Sequence, residues 1–390
     1  MFSTRTRWDA TANPLAEAIA RRRASGLALL DLTESNPTRA GLGFPREALL
    51  AALADDRAAV YEPHPLGLER ARAAIAGYYA SRGLEALPDR TVVTSSTSEA
   101  YAYLFKLLCD PGDEVLVPEP SYPLFGYLAG LESVVPRGYP LRYDGDWHVD
   151  REALRQAVGP RTRAVIAVSP NNPTGSYLKR DELAFLSNLC AERGLALLCD
   201  EVFADFPLEA LPDRAGGVLE QHAALAFALS GASKVAALPQ LKIGWLVASG
   251  PEALVAQAME RLEIVADCYL SPSTPAQLAL PAILARRDLA QEPLRQRLRE
   301  NLSTLDALRT SSSAWQRLRV EGGWSAVLRI PAKRSEQDWV VRLVEEEGVV
   351  VHPGFFFDFP SPAFVAVSLI VPPAEFREGL GRIVRRFDEG

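Results

Sequence analysis

From residue 91 onward, short apolar runs alternate with segments of helical period. TVVTSS (91–96) and DEVLVPEP (113–120) read as strands. RAVIAVSP (163–170), LALLCDEV (195–202), ALAFALSG (224–231) and GWLVAS (244–249) are apolar without alternation. A strand with one face in water alternates; continuous apolar character predicts burial on both faces, and so a largely parallel sheet covered by helices. SEAYAYLFKLLCD (98–110) sets Tyr101, Leu104, Phe105 and Leu108 on one helical face, with Ser98 placed to cap it. A helix predicted at 179–193 joins two runs into a βαβ unit. Upstream, 46–56 and 67–82 read as helices, the second with Leu68, Ala71, Ile75, Tyr78 and Tyr79 at helical spacing.

From about residue 276 the style changes. SAVLRI (325–330), VVVHPG (349–354) and FVAVSLI (364–370) are predicted strands, interleaved with amphipathic helices at 336–347 and 374–388. The fold class expected is α/β: a large unit at 45–275 with a mostly parallel sheet between helices, and a smaller α+β unit at 276–390. The N-terminal arm, 1–44, is expected to pack with the smaller unit.

Composition narrows the function without naming it. With 390 residues and 48% hydrophobic content, the chain can bury a large core. A formal net charge of −7 gives no reason to expect nucleic acid or an anionic membrane as partner. Cys109, Cys190, Cys199 and Cys268 are scattered without a CxxC pair, which suits reduced thiols in a cytoplasm. The four histidines show no ligand spacing, so no metal is expected. The first residues contain no apolar core of a secretory signal, and no stretch is long enough to span a membrane. No GxGxxG follows any strand, which argues against a dinucleotide-binding dehydrogenase.

Open parallel sheets bind ligands beyond the carboxyl ends of their strands. Ser96, Thr97 and Ser98 follow the first predicted strand at a helix N-terminus, and Ser121-Tyr122 follow the second. PNNPTG (170–175) follows the third, Asp200 closes the fourth, and Ser233-Lys234 follow the fifth. Each has an ordinary structural reading as a cap, a turn, an ion pair or a surface lysine. On one sheet edge their chemistries complement one another. Hydroxyls and free N–H groups at a helix start suit a phosphate. A desolvated lysine forms a Schiff base with an aldehyde. A carboxylate keeps a pyridine nitrogen protonated, an asparagine donates to a ring oxygen, and an aromatic ring stacks on the ring face. Phosphate, aldehyde, pyridine nitrogen and ring oxygen are together the parts of pyridoxal 5′-phosphate.

In order along the chain, YEPHPLGLERARAAIAGYY (61–79), VVTSSTSEA (92–100), PEPSYPLF (118–125), SPNNPTG (169–175), CDEVF (199–203), SGASKVAALPQLKIGW (230–245), SPSTPAQLAL (271–280) and HPGFFF (352–357) give the sequence a specific signature. The chain resembles the class I/II aminotransferases, fold-type-I pyridoxal phosphate enzymes, over nearly its full length. The resemblance implies a seven-stranded type of sheet in the large domain and a small C-terminal domain. It implies that Lys234 is the Schiff-base lysine and the proton shuttle, that Asp200 partners the pyridine nitrogen, and that Asn172 donates to the ring 3-oxygen. Tyr122 falls where an aromatic residue stacks on the ring. Ser96, Thr97 and Ser98 fall in the phosphate loop, with Ser233 beside the lysine. Tyr61 matches a tyrosine that reaches the partner subunit's phosphate, which implies a homodimer.

Three positions depart from the family pattern. Lys242 stands where arginine usually binds the phosphate; it keeps the charge without the bidentate fork. Phe203 replaces a tyrosine whose hydroxyl would reach the ring 3-oxygen, so the Schiff-base pKa is expected to rise. In Ala366-Val367-Ser368, Ala366 occupies the place of the arginine that clamps the substrate α-carboxylate. Asn36 and Arg39, in ESNPTR, are the candidate substrate contacts, with Arg329 a weaker alternative to Arg39. The expected activity is an aminotransferase-like reaction on an amino acid or a specialised amine. Elimination, replacement, cyclisation or carbon–carbon bond formation on the same scaffold is the alternative, and a non-catalytic cofactor-binding protein is a third reading.

Overall fold

The computed structural model describes residues 1–8, 11, 13–270 and 272–389. Asp9, Ala10 and Ala12 of the arm, Ser271 at the head of the 271–280 motif, and Gly390 lie outside the described residues.

Eight strands form the main sheet: β1 (Thr91–Thr94), β2 (Glu114–Glu119), β3 (Val135–Tyr143), β4 (Trp147–Val149), β5 (Thr162–Val168), β6 (Ala196–Asp200), β7 (Ala226–Gly231) and β8 (Gly244–Ser249). Their spatial order is β1-β8-β7-β6-β5-β2-β3-β4. The run from β7 through β3 is parallel, β8 is antiparallel to both its neighbours, and β4 is antiparallel to β3. The expected seven-stranded sheet therefore carries an eighth, three-residue edge strand, β4. Neither β3 nor β4 shows as an apolar run. Pro136, Gly138 and Pro140 interrupt β3, and its half-exposed positions mark it as peripheral.

Alternate residues of the central strands enter two separate cores, as the continuous apolar runs require. Val92, Ile166, Leu198, Phe227 and Leu246 pack on one side with Leu104, Phe105 and Leu262 of helices Thr97–Leu108 and Glu252–Tyr269. Val93, Val165, Leu197, Ala228 and Trp245 pack on the other with Ile75, Leu186 and Leu280 of helices Glu69–Ser81, Arg180–Arg193 and Thr274–Ala285. Each such side chain contributes roughly 1.5–3 kcal/mol on burial. Glu252–Tyr269, Thr274–Ala285 and Asp288–Ala307 are helices beyond those the pattern predicts. Pro281 and Pro293 lie inside the last two, where proline ordinarily signals a stop.

A second, antiparallel sheet holds β9 (Gln316–Arg317), β10 (Ser325–Arg329), β11 (His352–Pro353) and β12 (Phe364–Ser368) in the order β9-β10-β12-β11. Residues 349–354, expected as one strand, serve two neighbours instead. Val349–Val350 pairs in parallel with Leu30–Asp31 of the arm, and His352–Pro353 pairs with β12. The arm's helix, Pro14–Ala24, is fixed to the same region: Arg21 pairs with the Glu345 carboxylate at 2.7 Å, and Arg22 donates to the Glu345 carbonyl at 2.9 Å.

The end of β6 is tied to helix Glu69–Ser81 through a buried ion pair. Arg82, just past that helix, lies 3.3 Å from Glu201 and donates to the Gly216 carbonyl at 2.8 Å. Glu201 is 1% exposed, and its other oxygen accepts from Val218 N–H at 2.7 Å. Removing one partner of such a pair strands the other charge. Arg82→Met is expected to lose ~3 kcal/mol of stability, read as a lower urea midpoint, and Arg82→Met/Glu201→Gln is expected to recover part of that loss.

Candidate active site

Strand direction gathers the site. In β2, β5, β6 and β7 the carboxyl ends share one edge, and antiparallel β8 begins at that edge. Strand β1, antiparallel to β8, ends there too. A cavity of about 410 Å³ opens at this edge and extends to the second sheet. Ser96, Thr97, Ser98, Tyr122, Asn172, Asp200, Phe203, Ser233, Lys234 and Lys242 all line it.

The helix Thr97–Leu108 points its N-terminus at the cavity. Its cap is Ser96 rather than Ser98: Ser96 Oγ accepts from Glu99 N–H at 3.1 Å, because the helix begins one residue before the expected start. Glu99 reaches back to accept from Ser95 N–H at 2.6 Å. The first-turn N–H groups of Thr97 and Ser98 have no acceptor among the described residues and are free for an anion. Gly244 makes room for this turn. A Cβ there would stand 2.9 Å from Ser96 C and 3.1 Å from Thr97 N, closer than real contacts allow. Lys242 stands in the left-handed region, at φ 52 and ψ 59, a conformation that costs a non-glycine residue roughly 1 kcal/mol.

Deeper in, Asp200 is 7% exposed and accepts from Val202 N–H at 3.1 Å and from the Tyr101 hydroxyl at 3.4 Å. Burial pushes its carboxyl up from 3.8 to about 6, against those donors and Lys234. The half-buried Lys234 lines the cavity with its amine 4.7 Å from the Trp324 ring centre and 5.3 Å from that of Phe203. Burial pushes the amine down from 10.5 to about 8. Asp200 and Lys234 face one space without a direct ion pair, each favouring the other's charge through it. Asn172 keeps its amide toward the cavity with a single long contact, from Ser325 Oγ at 3.5 Å. Its neighbour Asn171 is buried and structural: it accepts from Ser121 Oγ at 2.8 Å and donates to the Pro120 carbonyl at 2.9 Å.

Three expected residues lie elsewhere. Asn36 Oδ1 accepts from Thr38 N–H at 3.0 Å and closes its own turn. The Arg39 side chain is 77% exposed and lies 3.9 Å from Glu34. Neither lines the cavity; Thr33 and Ser35 of the same segment do. Tyr61 is 73% exposed, away from this chain's own cavity. Trp324, Ser325, His352 and Ser368 also line it, brought by the second sheet. Their only sequence signal is position: they stand at the ends of β10, β11 and β12. Ala366 lines the cavity as well.

The family model for aminotransferase class I and II matches residues 29–383. The aspartate/prephenate aminotransferase of Thermus thermophilus is 30% identical over 388 residues, covering 97% of this chain and 95% of that protein. The glutamate–pyruvate aminotransferase AlaA of Escherichia coli is 26% identical over 356 residues, covering 90% and 88%. Among solved structures, a Thermus thermophilus aspartate aminotransferase double mutant superposes with a TM-score of 0.84 at 26% identity, covering 99% of both chains. The alanine aminotransferase of Pyrococcus furiosus shares the fold, with a TM-score of 0.88 at 22% identity over the whole of both chains. The chain belongs to the class I and II aminotransferases, is a transferase enzyme, and uses pyridoxal 5′-phosphate. These relatives support aminotransferase-like activity rather than elimination or carbon–carbon bond formation.

The donor set suits that cofactor: free N–H groups and a lysine for an anion, a buried carboxylate without a direct cation, and a cavity-lining amine. Asp200 makes the cofactor-free protein sensitive to pH. A carboxyl raised on folding contributes stability below 3.8 that is lost as pH rises through about 6. In the cofactor-free protein, Asp200→Asn is expected to gain ~2 kcal/mol over the wild type at pH 8 and nothing below pH about 4. Urea unfolding at several pH values measures this.

Proposed function

We propose that the cavity is the catalytic site and that its residues divide the cofactor between them. The observation that carries this is the pairing of a cavity-lining amine, Lys234, held between aromatic rings, with a buried carboxylate, Asp200, across one space and without a direct bond. When bound, pyridoxal phosphate supplies a carbonyl for the substrate amine and a ring that draws electrons from the substrate carbon. Lys234 holds that carbonyl between turnovers and then moves the proton at the substrate carbon. Its lowered pKa leaves a share of the amine neutral near neutral pH, and the neutral amine is the form that attacks and accepts protons. Asp200 stays ionised beside the ring nitrogen, where a positive charge restores the balance that burial upset. Thr97 and Ser98 N–H, Ser96, Ser233 and Lys242 hold the phosphate, Asn172 the ring oxygen, and Tyr122 one ring face. Phe203 supplies a ring beside the Lys234 amine and no hydroxyl.

The units at 45–275 and 276–390, with the arm 1–44 on the second, are read as two domains with the site between them. An exposed tyrosine at position 61 supports a homodimer in which Tyr61 reaches the partner subunit's phosphate. The scattered cysteines, all free, suit a cytoplasmic protein.

Two measurements test this reading. Hydride reduction of the loaded protein, followed by peptide mass analysis, is expected to fix the cofactor on Lys234; in Lys234→Ala no peptide should carry it. Tyr61→Phe is expected to weaken cofactor affinity by about tenfold, the cost of one charge-assisted hydrogen bond, while sedimentation still shows a dimer. A monomeric wild type would refute the shared site.

A further inference from the structure

The cavity wall has a charge pattern that the cofactor does not use up. Its ionisable lining groups are Asp200, Lys234, Lys242, Tyr122 and His352. The first four face the cofactor in the reading above, which leaves His352 for the substrate. Burial holds this imidazole below its ordinary value, so it is neutral at pH 7, despite Asp31 nearby. It is paired with Ala366 across β11 and β12, and it makes no hydrogen bond among the described residues.

No arginine lines the cavity among the described residues. Arg39 is turned out to solvent beside Glu34. Arg329, at the far end of β10, lies over the rings of Tyr143 and Phe364 at 5.9 and 5.7 Å. Around Ala366 the wall consists of aromatic faces and neutral groups. Trp324 is 3% exposed, and its buried indole N–H has no acceptor among the described residues. Phe356, Phe357 and His352 add ring surface. The nearby hydroxyls are partly engaged: Ser368 donates to the Glu34 carbonyl at 2.6 Å, and Thr33 to Asp31 at 2.5 Å.

A carboxylate brought against this wall loses its water and gains no cation. An amide, hydroxyl or aryl group loses far less there. We infer that the preferred substrate is a primary amine whose carbon beside the nitrogen bears an uncharged group, rather than an α-amino acid. This inference rests on the reading of the cavity as the cofactor site. In the half-reaction the substrate carbon gives its amino group and one hydrogen to the cofactor and gains an oxygen. The amine leaves as an aldehyde or ketone whose oxygen comes from one water, consumed in the half-reaction as Lys234 returns to its free amine.

Two measurements on the loaded wild-type protein decide it. In single-turnover mixing, benzylamine and 1-phenylethylamine are compared with L-phenylalanine and L-alanine by their effect on the visible cofactor band. Calorimetry compares phenylacetamide with phenylacetate, which reads binding without turnover. The amines are expected to convert the band at least ~30-fold faster than the amino acids, and the amide to bind at least ~30-fold tighter than the carboxylate. In Ala366→Arg the second ratio is expected to shrink or reverse. Phenylacetate binding as tightly as the amide in the wild type, or faster conversion by the amino acids, overturns the inference; so does a band unchanged by every amine. If no visible band forms on loading, or if it persists in Lys234→Ala, the cofactor site itself is misread and this inference falls with it.

Discussion

Strand direction is the constraint on which the rest of this protein depends. Five neighbouring strands, β7 through β3, run the same way, so their carboxyl ends share one edge. Such strands cannot be joined by tight turns, and each crossover returns across a face of the sheet, through a helix between β5 and β6 and through a long loop between β6 and β7. The carboxyl edge is therefore where the chain leaves the sheet, and where backbone groups and side chains escape ladder pairing. Asp200, at the last position of β6, sits in the middle of that edge with both flanks occupied by strands. Its burial follows from that position.

Much of the site is held in states that a merely stable protein would avoid. Asp200 is buried without a direct cation, Lys234 is held between rings, and Lys242 occupies a left-handed backbone. The surroundings absorb these costs. Gly231 and Gly244 face each other across β7 and β8, and the absence of side chains lets the Ser96–Thr97 turn approach the sheet. One residue past Asp200, Glu201 turns the other way, into its pair with Arg82. Adjacent carboxylates thus have opposite fates, one satisfied by the scaffold and one left for a ligand. Alternation along a strand sends successive side chains to opposite faces and accounts for the division.

The second sheet decides what else the cavity accepts. It contributes Trp324, Ser325, His352, Ala366 and Ser368, from residues far apart in the chain. The main sheet supplies the groups suited to the cofactor, and the second sheet supplies the wall opposite. The relatives named above are 22–30% identical in sequence.

The sequence alone was enough for the α/β class, the central strands and the residues at the strand ends. Continuous apolar runs report burial on both faces, and a parallel sheet puts whatever follows each run at one edge. That is why Ser96, Asn172, Asp200 and Lys234 could be placed together before any contact was known. Strand β3 escaped because Pro136, Gly138 and Pro140 break its pattern, and two helices escaped because Pro281 and Pro293 lie within them. Only the tertiary structure decided that Ser96, not Ser98, caps the helix, and that Arg39 turns outward while Ser35 turns in. It alone brought Trp324 over Lys234 and His352 beside Ala366. Local pattern records whether a residue is buried and which way its strand runs. Which side chains from distant segments meet depends on how two sheets and the arm pack, and no periodicity along the chain records that.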